Sequence, residues 1–344
     1  MRAYQIKQNL ENLDQLGECL TELPDPKPAE NQVLVDVKCA GMNFFDTLQV
    51  RGLYQDRPPF PFIPGAELSG VISEDSPIPI GCPFVPGKTR VFGSTQGCYA
   101  TKASVAWKQL IEIPPGLDFE HSAAIFITYP TSYASLINRG KLKKGEWCLV
   151  HAAAGGVGIA AEKLEFVRKY GGLSDQDFTL VYDGTPASSP SGGKKKVSML
   201  QWQAQVLKIT QGKGVDVVFD PVGLINVRLR FSQRLFVAAW DCRLVVVGFA
   251  GGQIDKVPAN LLLLKNATVT GIFWGAQVKK EPEEPVKVWA ALLELISRGQ
   301  IRPVLHTKIY NGLEALSDGL KDLNSRKVLA KAILRIHPHP QSKL

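Results

Sequence analysis

The sequence predicts an α/β protein of two domains, a β-rich first domain and a second domain with a doubly wound parallel sheet. The length of 344 residues suits two domains. Residues 32–38 alternate apolar and polar side chains, as a half-buried strand does, and Pro and Gly clusters after them indicate turns between short strands. Beyond about residue 125, apolar runs alternate with helical stretches, which is the pattern of a parallel sheet.

This change of pattern divides the chain into a first domain at residues 1–125 and a second domain at residues 126–309. The apolar run from Val328 to Ile336 predicts a closing strand, so we expect residues 310–340 to return to the first domain. Residues 160–200 fit the second domain poorly, because part of this stretch has the Pro, Ser, Gly and Lys content of a loop. A long structureless loop is uncommon inside a compact domain.

Composition argues against a membrane protein and against a disulfide-linked one. The net charge is +8, but apart from Lys194–Lys196 the charges are scattered, which favours an ordinary basic enzyme over a polyanion-binding surface. No apolar run reaches the roughly 18 residues of a membrane span, and the N-terminus lacks the apolar region of a secretory signal. The six cysteines are far apart with no C-x-x-C, as expected for reduced thiols in an intracellular protein.

The last three residues are Ser342, Lys343 and Leu344, which match the S-K-L peroxisomal address. Pro338 and Pro340 should keep the preceding chain extended. We therefore expect a peroxisomal protein that binds the import receptor through this tripeptide. The alternative is a cytoplasmic enzyme in which the tripeptide is a coincidence.

A glycine-rich turn between a predicted strand and a predicted helix indicates a dinucleotide site. The apolar run at residues 147–151 leads into Ala153-Ala154-Gly155-Gly156-Val157-Gly158, which fits G-x-G-x-x-G with Ala in the first position. Gly155 would let the backbone approach a pyrophosphate, and Gly158 would let the helix pack tightly on the strand. The N–H groups at the start of the helix would then face the phosphates.

Short motifs along the chain follow the order seen in quinone reductases. Ala40–Asp46 resembles their N-x-x-D motif, Arg51–Tyr54 their R-x-G-x-Y, and Phe62–Glu67 their P-G-x-E. Asp220–Gly223 comes after the glycine turn, and Arg326–Lys331 resembles R-x-T-x-G-K. Together these motifs resemble the zinc-free quinone oxidoreductase (zeta-crystallin-like) branch of the medium-chain dehydrogenase/reductase family. The resemblance implies a GroES-like first domain, a Rossmann second domain and dimers in many relatives.

The resemblance also implies roles for individual residues. Asn43, Asp46 and Tyr54 would be the catalytic residues of the substrate cleft, with Asn43 and Tyr54 donating hydrogen bonds to a substrate oxygen as charge develops there. Besides Ala154, Gly155, Gly156, Val157 and Gly158, the implied cofactor-binding residues are Thr131, Lys163, Tyr182, Gly223, Gly248 and Arg326.

Zinc alcohol dehydrogenases share the fold that this resemblance implies, but their metal ligands are missing from this sequence. Asn43 and Ala66 stand where those enzymes carry a Cys and a His, and only Cys82 and Cys98 fall in the region of their four-Cys lobe. Because catalytic zinc needs three protein ligands, we expect no zinc. Alcohol oxidation would then lack its Lewis acid, whereas an electrophilic acceptor needs only a well-placed hydride donor.

The choice between NADPH and NADH depends on the residue that ends the second strand of the nucleotide sheet. An acid there suits the ribose hydroxyl of NAD, and a basic group suits the phosphate of NADP. Phe178 to Asp183 is one candidate strand, and its final Asp favours NAD. The resemblance favours NADPH, with Lys163 as the phosphate-binding lysine, so both cofactors stay open.

The sequence departs from the pattern at two places. The second Rossmann strand is either lost from this chain or replaced by Phe178–Asp183, and Leu48 stands where the family has Tyr. The predicted function is NADPH-dependent reduction of quinones or related α,β-unsaturated carbonyls by direct hydride transfer without a metal. The alternatives are an enoyl-thioester or enone reductase, which a peroxisomal address would suit, and an inactive relative that binds a nucleotide or RNA.

Overall fold

The computed structural model describes residues 1–163, 199–223, 237–251, 254 and 256–336, with the side chains of residues 162, 163 and 199–201 left aside. The predicted strand Phe178–Asp183 with Tyr182, the side chain of Lys163 and the tripeptide Ser342–Leu344 therefore lie outside the described residues. In the described part the strands are β1 (Arg2–Tyr4), β2 (Leu20–Glu22), β3 (Gln32–Met42), β4 (Glu67–Ile72), β5 (Arg90–Ser94), β6 (Lys102–Ala106), β7 (Leu110–Glu112), β8 (Cys148–Val150), β9 (Val215–Asp220), β10 (Ala238–Val246), β11 (Thr268–Gly271), β12 (Tyr310–Asn311) and β13 (Ala332–Arg335). The α-helices there are α1 (Phe44–Gln49), α2 (Phe119–Ser122), α3 (Thr128–Tyr133), α4 (Gly156–Lys163), α5 (Met199–Ile209), α6 (Ala259–Lys265), α7 (Trp274–Lys280), α8 (Glu283–Ser297) and α9 (Leu316–Asn324), with a π-helical turn at Ala134–Arg139 and short 3-10 helices at Leu13–Cys19, Trp107–Gln109 and Leu313–Ala315.

The chain forms two compact units, and the first of them draws on three parts of the sequence. The first unit comprises Met1–Thr128, Ala154–Gly156 and the described residues from Ile296 onward. The second unit comprises the described residues of Tyr129–Ala153 and Val157–Leu295.

The first unit is built on a seven-stranded sheet with the order β12-β13-β3-β4-β5-β7, in which β6 also pairs with β3. The alternating residues 32–38 form part of β3, where Val33, Val35 and Val37 are fully buried. β3 is long enough to pair with β6 through its first residues and with β13 through its last four. The closing strand β13 thus runs antiparallel to β3, with Ala332 opposite Met42.

The second unit contains a parallel sheet, which confirms the α/β prediction. Its four described strands are ordered β11-β10-β9-β8, and every pair is parallel. All six residues of β9 are buried, as expected for a strand covered on both faces. Trp202 of α5 packs with Val218 and Leu244 in the core beside this sheet. Within the described residues, β8 pairs with β9 alone.

Two further observations bear on the predictions from composition. All six cysteines are free thiols. None of the described helices has both the length and the apolar character that a membrane crossing requires.

Candidate active site

A buried polar cluster lies at the start of α1, in the first unit. Asn43 precedes the helix in an extended conformation, and its backbone N–H donates to Asp46 Oδ2 at 2.7 Å. The Tyr99 hydroxyl donates to the same oxygen at 2.5 Å. Asp46 and Tyr99 are both fully buried. Asp46 therefore caps the helix and fixes the backbone of Asn43.

Two charged residues from distant parts of the chain complete this cluster. The side-chain amide of Asn43 donates from Nδ2 to Glu67 Oε1 at 2.8 Å, and Lys331 Nζ donates to Asn43 Oδ1 at 2.6 Å. Lys331 also donates to Glu67 Oε1, and the backbone N–H of Ile127 donates to Glu67 Oε2 at 3.1 Å. Glu67 begins β4 and Lys331 directly precedes β13. Strands β4 and β13 both pair with β3, one on each side of it, and the two long side chains meet across that strand.

Burial controls the protonation of Asp46. It raises the pKa of this carboxyl group from its ordinary 3.8 to about 7, although the hydrogen bonds from Tyr99 and from the Asn43 N–H act in the opposite direction. Asp46 Oδ1 has no hydrogen-bond partner among the described residues. The folded protein therefore holds a proton here at pH values where the unfolded chain has released it.

We expect the protein to become less stable as the pH rises, because buried Asp46 then loses this proton. The contribution is fully present below the ordinary pKa of Asp46, declines by up to about 1.4 kcal/mol per pH unit, and is lost once the pH passes about 7. Asp46→Asn should flatten the decline in the free energy of unfolding between about pH 5 and pH 8, measured with urea. Asp56→Asn, at an exposed position, should keep the wild-type slope. Equal slopes in wild type and Asp46→Asn would refute this prediction.

Tyr54 forms an aromatic pair with Phe45 in the first unit. Its ring stacks on Phe45 with a centroid distance of 5.1 Å and an interplanar angle of 23°. Burial raises the pKa of the Tyr54 hydroxyl, so the group stays protonated near neutral pH and can donate a hydrogen bond.

The glycine-rich turn has the strand–turn–helix geometry that the sequence predicts. β8 ends at Val150 and α4 begins at Gly156, so the first backbone N–H groups of the helix lack intrahelical partners and suit an anion. A Cβ on Gly158 would lie 2.2 Å from the carbonyl oxygen of Ala152, so the helix can pack this closely only with glycine. The turn therefore fits the pyrophosphate of a dinucleotide, with Ala154–Gly158 as the residues that would hold it.

Gly223 and Gly248 come after β9, which pairs with β8, and after β10, which pairs with β9. Gly223 has φ +63°, and its turn is fixed by Asp220 Oδ1, which accepts the N–H groups of Val222 and Gly223 at 3.1 and 3.3 Å. Gly248 follows β10, where the N–H of Val247 donates to the Asp220 carbonyl at 2.8 Å. Because β8, β9 and β10 are parallel neighbours, the segments after them lie at the carboxyl edge of the sheet, where ligands of such sheets bind.

Of the other predicted cofactor residues, Thr131 and Arg326 are among the described residues. Thr131 is half-buried in α3, and its neighbour Ser132 donates to the carbonyl of Val157 at 2.8 Å, which ties α3 to the first turn of α4. Arg326 is exposed just after α9, with φ +60°, in the first unit. The side chain of Lys163 and all of Tyr182 are among the residues left undescribed.

The described ranges contain no group of three or more His, Cys, Asp or Glu side chains placed to bind a metal ion. Asn43 and Ala66 stand where zinc alcohol dehydrogenases carry metal ligands. The Asn43 side chain is hydrogen-bonded to Lys331 and Glu67, and the Ala66 side chain has no atom that could bind a metal.

Comparison with known proteins identifies the family. Residues 29–115 match the alcohol dehydrogenase GroES-like domain, and residues 155–298 match the zinc-binding dehydrogenase family. Quinone oxidoreductase-like protein 2 of Rattus norvegicus is 32% identical over 321 residues, which cover 90% of this chain and 87% of the rat protein. The chain belongs to the quinone oxidoreductases of the medium-chain dehydrogenase/reductase family. This quinone oxidoreductase family member is therefore an NAD(P)H-dependent oxidoreductase, with a GroES-like first domain and a Rossmann-type second domain, as the motifs predicted.

Solved structures agree with this fold. A probable oxidoreductase from Mycobacterium abscessus is 30% identical, with a TM-score of 0.76 over 97% of this chain and 98% of that chain. The quinone oxidoreductase from Thermus thermophilus, solved also in complex with NADPH, is 26% identical, with a TM-score of 0.74 over 98% of this chain and 100% of that chain.

Glu67, Lys331 and Tyr99 of this family member were missed as site residues by the sequence analysis. Glu67 and Lys331 each close a motif that the analysis used, but only as markers of resemblance. A usable signal was present, since each is a charged residue next to a run of strand-forming apolar residues. Such a residue needs a buried partner, and the sequence does not say which one.

Proposed function

We propose that this protein reduces quinones or related α,β-unsaturated carbonyls with NADPH, without a metal. The observation that carries the proposal is that the buried cluster lies beside Ala154–Gly156, the part of the glycine turn that belongs to the first unit. A Cβ on Gly156 would lie 3.7 Å from Lys331 Cδ, and the N–H of Ala330 donates to the Ala154 carbonyl at 2.7 Å. All of these residues belong to the first unit. Lys331, which binds the Asn43 amide, is therefore a neighbour of the residues at the start of the proposed pyrophosphate site.

Some residues of the chain bind the cofactor, and others stabilise the negative charge that develops on the substrate. Bound NADPH supplies the hydride. The N–H groups at Ala154–Gly158 hold the pyrophosphate, and the Asn43 amide and the Tyr54 hydroxyl donate to the acceptor oxygen as negative charge develops on it. Asp46 acts indirectly, because it is fully buried and holds the backbone of Asn43.

NADPH is proposed over NADH because the structure of the Thermus thermophilus relative includes its NADPH complex. Lys163 and Arg326 are the proposed phosphate-binding residues. Binding of NADPH, a homodimer and a peroxisomal location remain predictions.

Steady-state oxidation of NADPH with several acceptors tests the proposed function. We expect turnover with p-benzoquinone, phenanthrenequinone and methyl vinyl ketone, at rates that dialysis against a chelator does not change. Crotonyl-CoA separates the enoyl-thioester alternative, since turnover with it alone would favour that reading. NADPH binding without turnover of any acceptor would refute the proposal.

A further inference from the structure

We propose that Lys331 is a positioning residue, which fixes the Asn43 amide so that it presents an N–H group to the carbonyl oxygen of the acceptor. This inference rests on the proposed function. It identifies Lys331 as the residue through which the site favours substrates with a hydrogen-bond-accepting oxygen. Lys331 itself acts through Asn43 and need not touch the substrate.

The charges of the two partners determine which way the amide faces. A lysine ammonium group only donates hydrogen bonds, and an ionised carboxylate only accepts them. Lys331 Nζ lies 2.6 Å from Asn43 Oδ1, and Glu67 Oε1 lies 2.8 Å from Asn43 Nδ2. A rotation of the amide by half a turn would place its NH₂ group against the ammonium and its oxygen against the carboxylate. Both bonds would then be lost.

This orientation leaves one amide hydrogen for the substrate. The Nδ2 group carries two hydrogens, and Glu67 is its one partner among the described residues. The ammonium on Oδ1 draws electron density from the amide, which strengthens the remaining N–H as a donor. A carbonyl oxygen can accept from it, whereas the reversed amide would present an oxygen and repel that group.

The lysine is itself held in place. Its side chain is 5% exposed, and its backbone carbonyl accepts the His306 N–H at 2.8 Å. Its own N–H donates to the Val304 carbonyl at 3.3 Å. The donor is thus oriented before the acceptor arrives, which is the condition under which such a group contributes most to rate.

A double-mutant cycle tests whether Lys331 acts through Asn43. With p-benzoquinone we expect Asn43→Ala to lower kcat by about 100-fold and Lys331→Met to lower it by about tenfold, while NADPH affinity is unchanged. Asn43→Ala combined with Lys331→Met should be no slower than Asn43→Ala alone. Losses that multiply would overturn the proposal. Lys321→Met, which removes a lysine from a surface ion pair, is the matched control.

A second variant covers the possibility that Lys331→Met fails to fold because Glu67 is left as an unpaired buried charge. Lys331→Met/Glu67→Gln removes both charges, and its neutral amide can face Asn43 either way. It should show the same fall in kcat with a native thermal melt. Wild-type kcat in this double variant would overturn the proposal.

Nuclear magnetic resonance of asparagine-labelled protein gives a readout that needs no turnover. We expect the Asn43 NH₂ pair, assigned by its loss in Asn43→Ala, to show one strongly shifted, exchange-protected hydrogen. Lys331→Met/Glu67→Gln should abolish that shift. An unchanged pair would overturn the inference about Lys331. A wild-type protein that shows the shift but turns over no acceptor would instead refute the proposed function.

Discussion

Gly158→Ala should lower kcat/KM for NADPH by about 100-fold, on the scale expected when a binding group is displaced by about 1 Å. The three atoms nearest to the new Cβ, at 2.2, 2.8 and 2.8 Å, all belong to the backbone of Ala152 and Ala153. Backbone cannot rotate away as a flexible side chain can, so α4 must move away from the turn. The backbone N–H groups of the turn then no longer all point at the pyrophosphate, and NADPH binds less tightly.

Titration of NADPH fluorescence separates this effect from a general loss of stability. Gly17→Ala adds the same methyl group at an exposed site with no atom within 4 Å of the new Cβ, and it should bind NADPH as the wild type does. Overpacking at residue 158 should also cost about 1–3 kcal/mol of stability, so binding is compared under conditions in which both variants are folded. Wild-type affinity in folded Gly158→Ala would show that the turn is not the nucleotide site.

Glu67→Ala should reduce the free energy of unfolding by about 3–5 kcal/mol, because it leaves the Lys331 ammonium buried without its counter-charge. Glu67 is fully buried, and the Lys331 side chain is only 5% exposed. The substitution also removes the carboxylate that accepts hydrogen bonds from the Ile127 N–H and from Asn43 Nδ2. Urea unfolding measures the change.

Two further variants show whether the unpaired charge is the cause. Glu67→Ala/Lys331→Met removes both charges and should recover a large part of the loss, since a neutral pair leaves no buried ion. Glu314→Ala removes the glutamate of an exposed ion pair with Arg2 and should cost at most about 1 kcal/mol. A loss of similar size at both glutamates would contradict this explanation.

The parts of the fold that depend on local pattern could be predicted from the sequence. Alternation at residues 32–38 predicted part of β3, and the glycine turn predicted the junction of β8 and α4. Some boundaries differ. Strand β10 begins at Ala238, ahead of its most apolar residues, and its first part is irregular, with a bulge before Arg243 and a left-handed Asp241.

The polar cluster could not be predicted, because its members meet only through the pairing of strands. Lys331 and Glu67 are 264 residues apart in the sequence, and they come together because β13 and β4 both pair with β3. Local patterns identify strands but do not say which strands are neighbours. Asp46 was predicted to be catalytic from the resemblance, and the sequence does not reveal that its side chain is fully buried.

The late position of β13 has a consequence for how the chain folds during synthesis. Domains usually fold in the order in which they leave the ribosome. Here the edge of β3 that receives Ala332–Arg335 stays open until those residues, about 290 positions further along the chain, have been translated. The unit that starts first is thus completed last, and any product truncated ahead of residue 331 carries an unpaired strand edge and an uncompensated Glu67. Such nascent fragments are natural clients for chaperones and proteases.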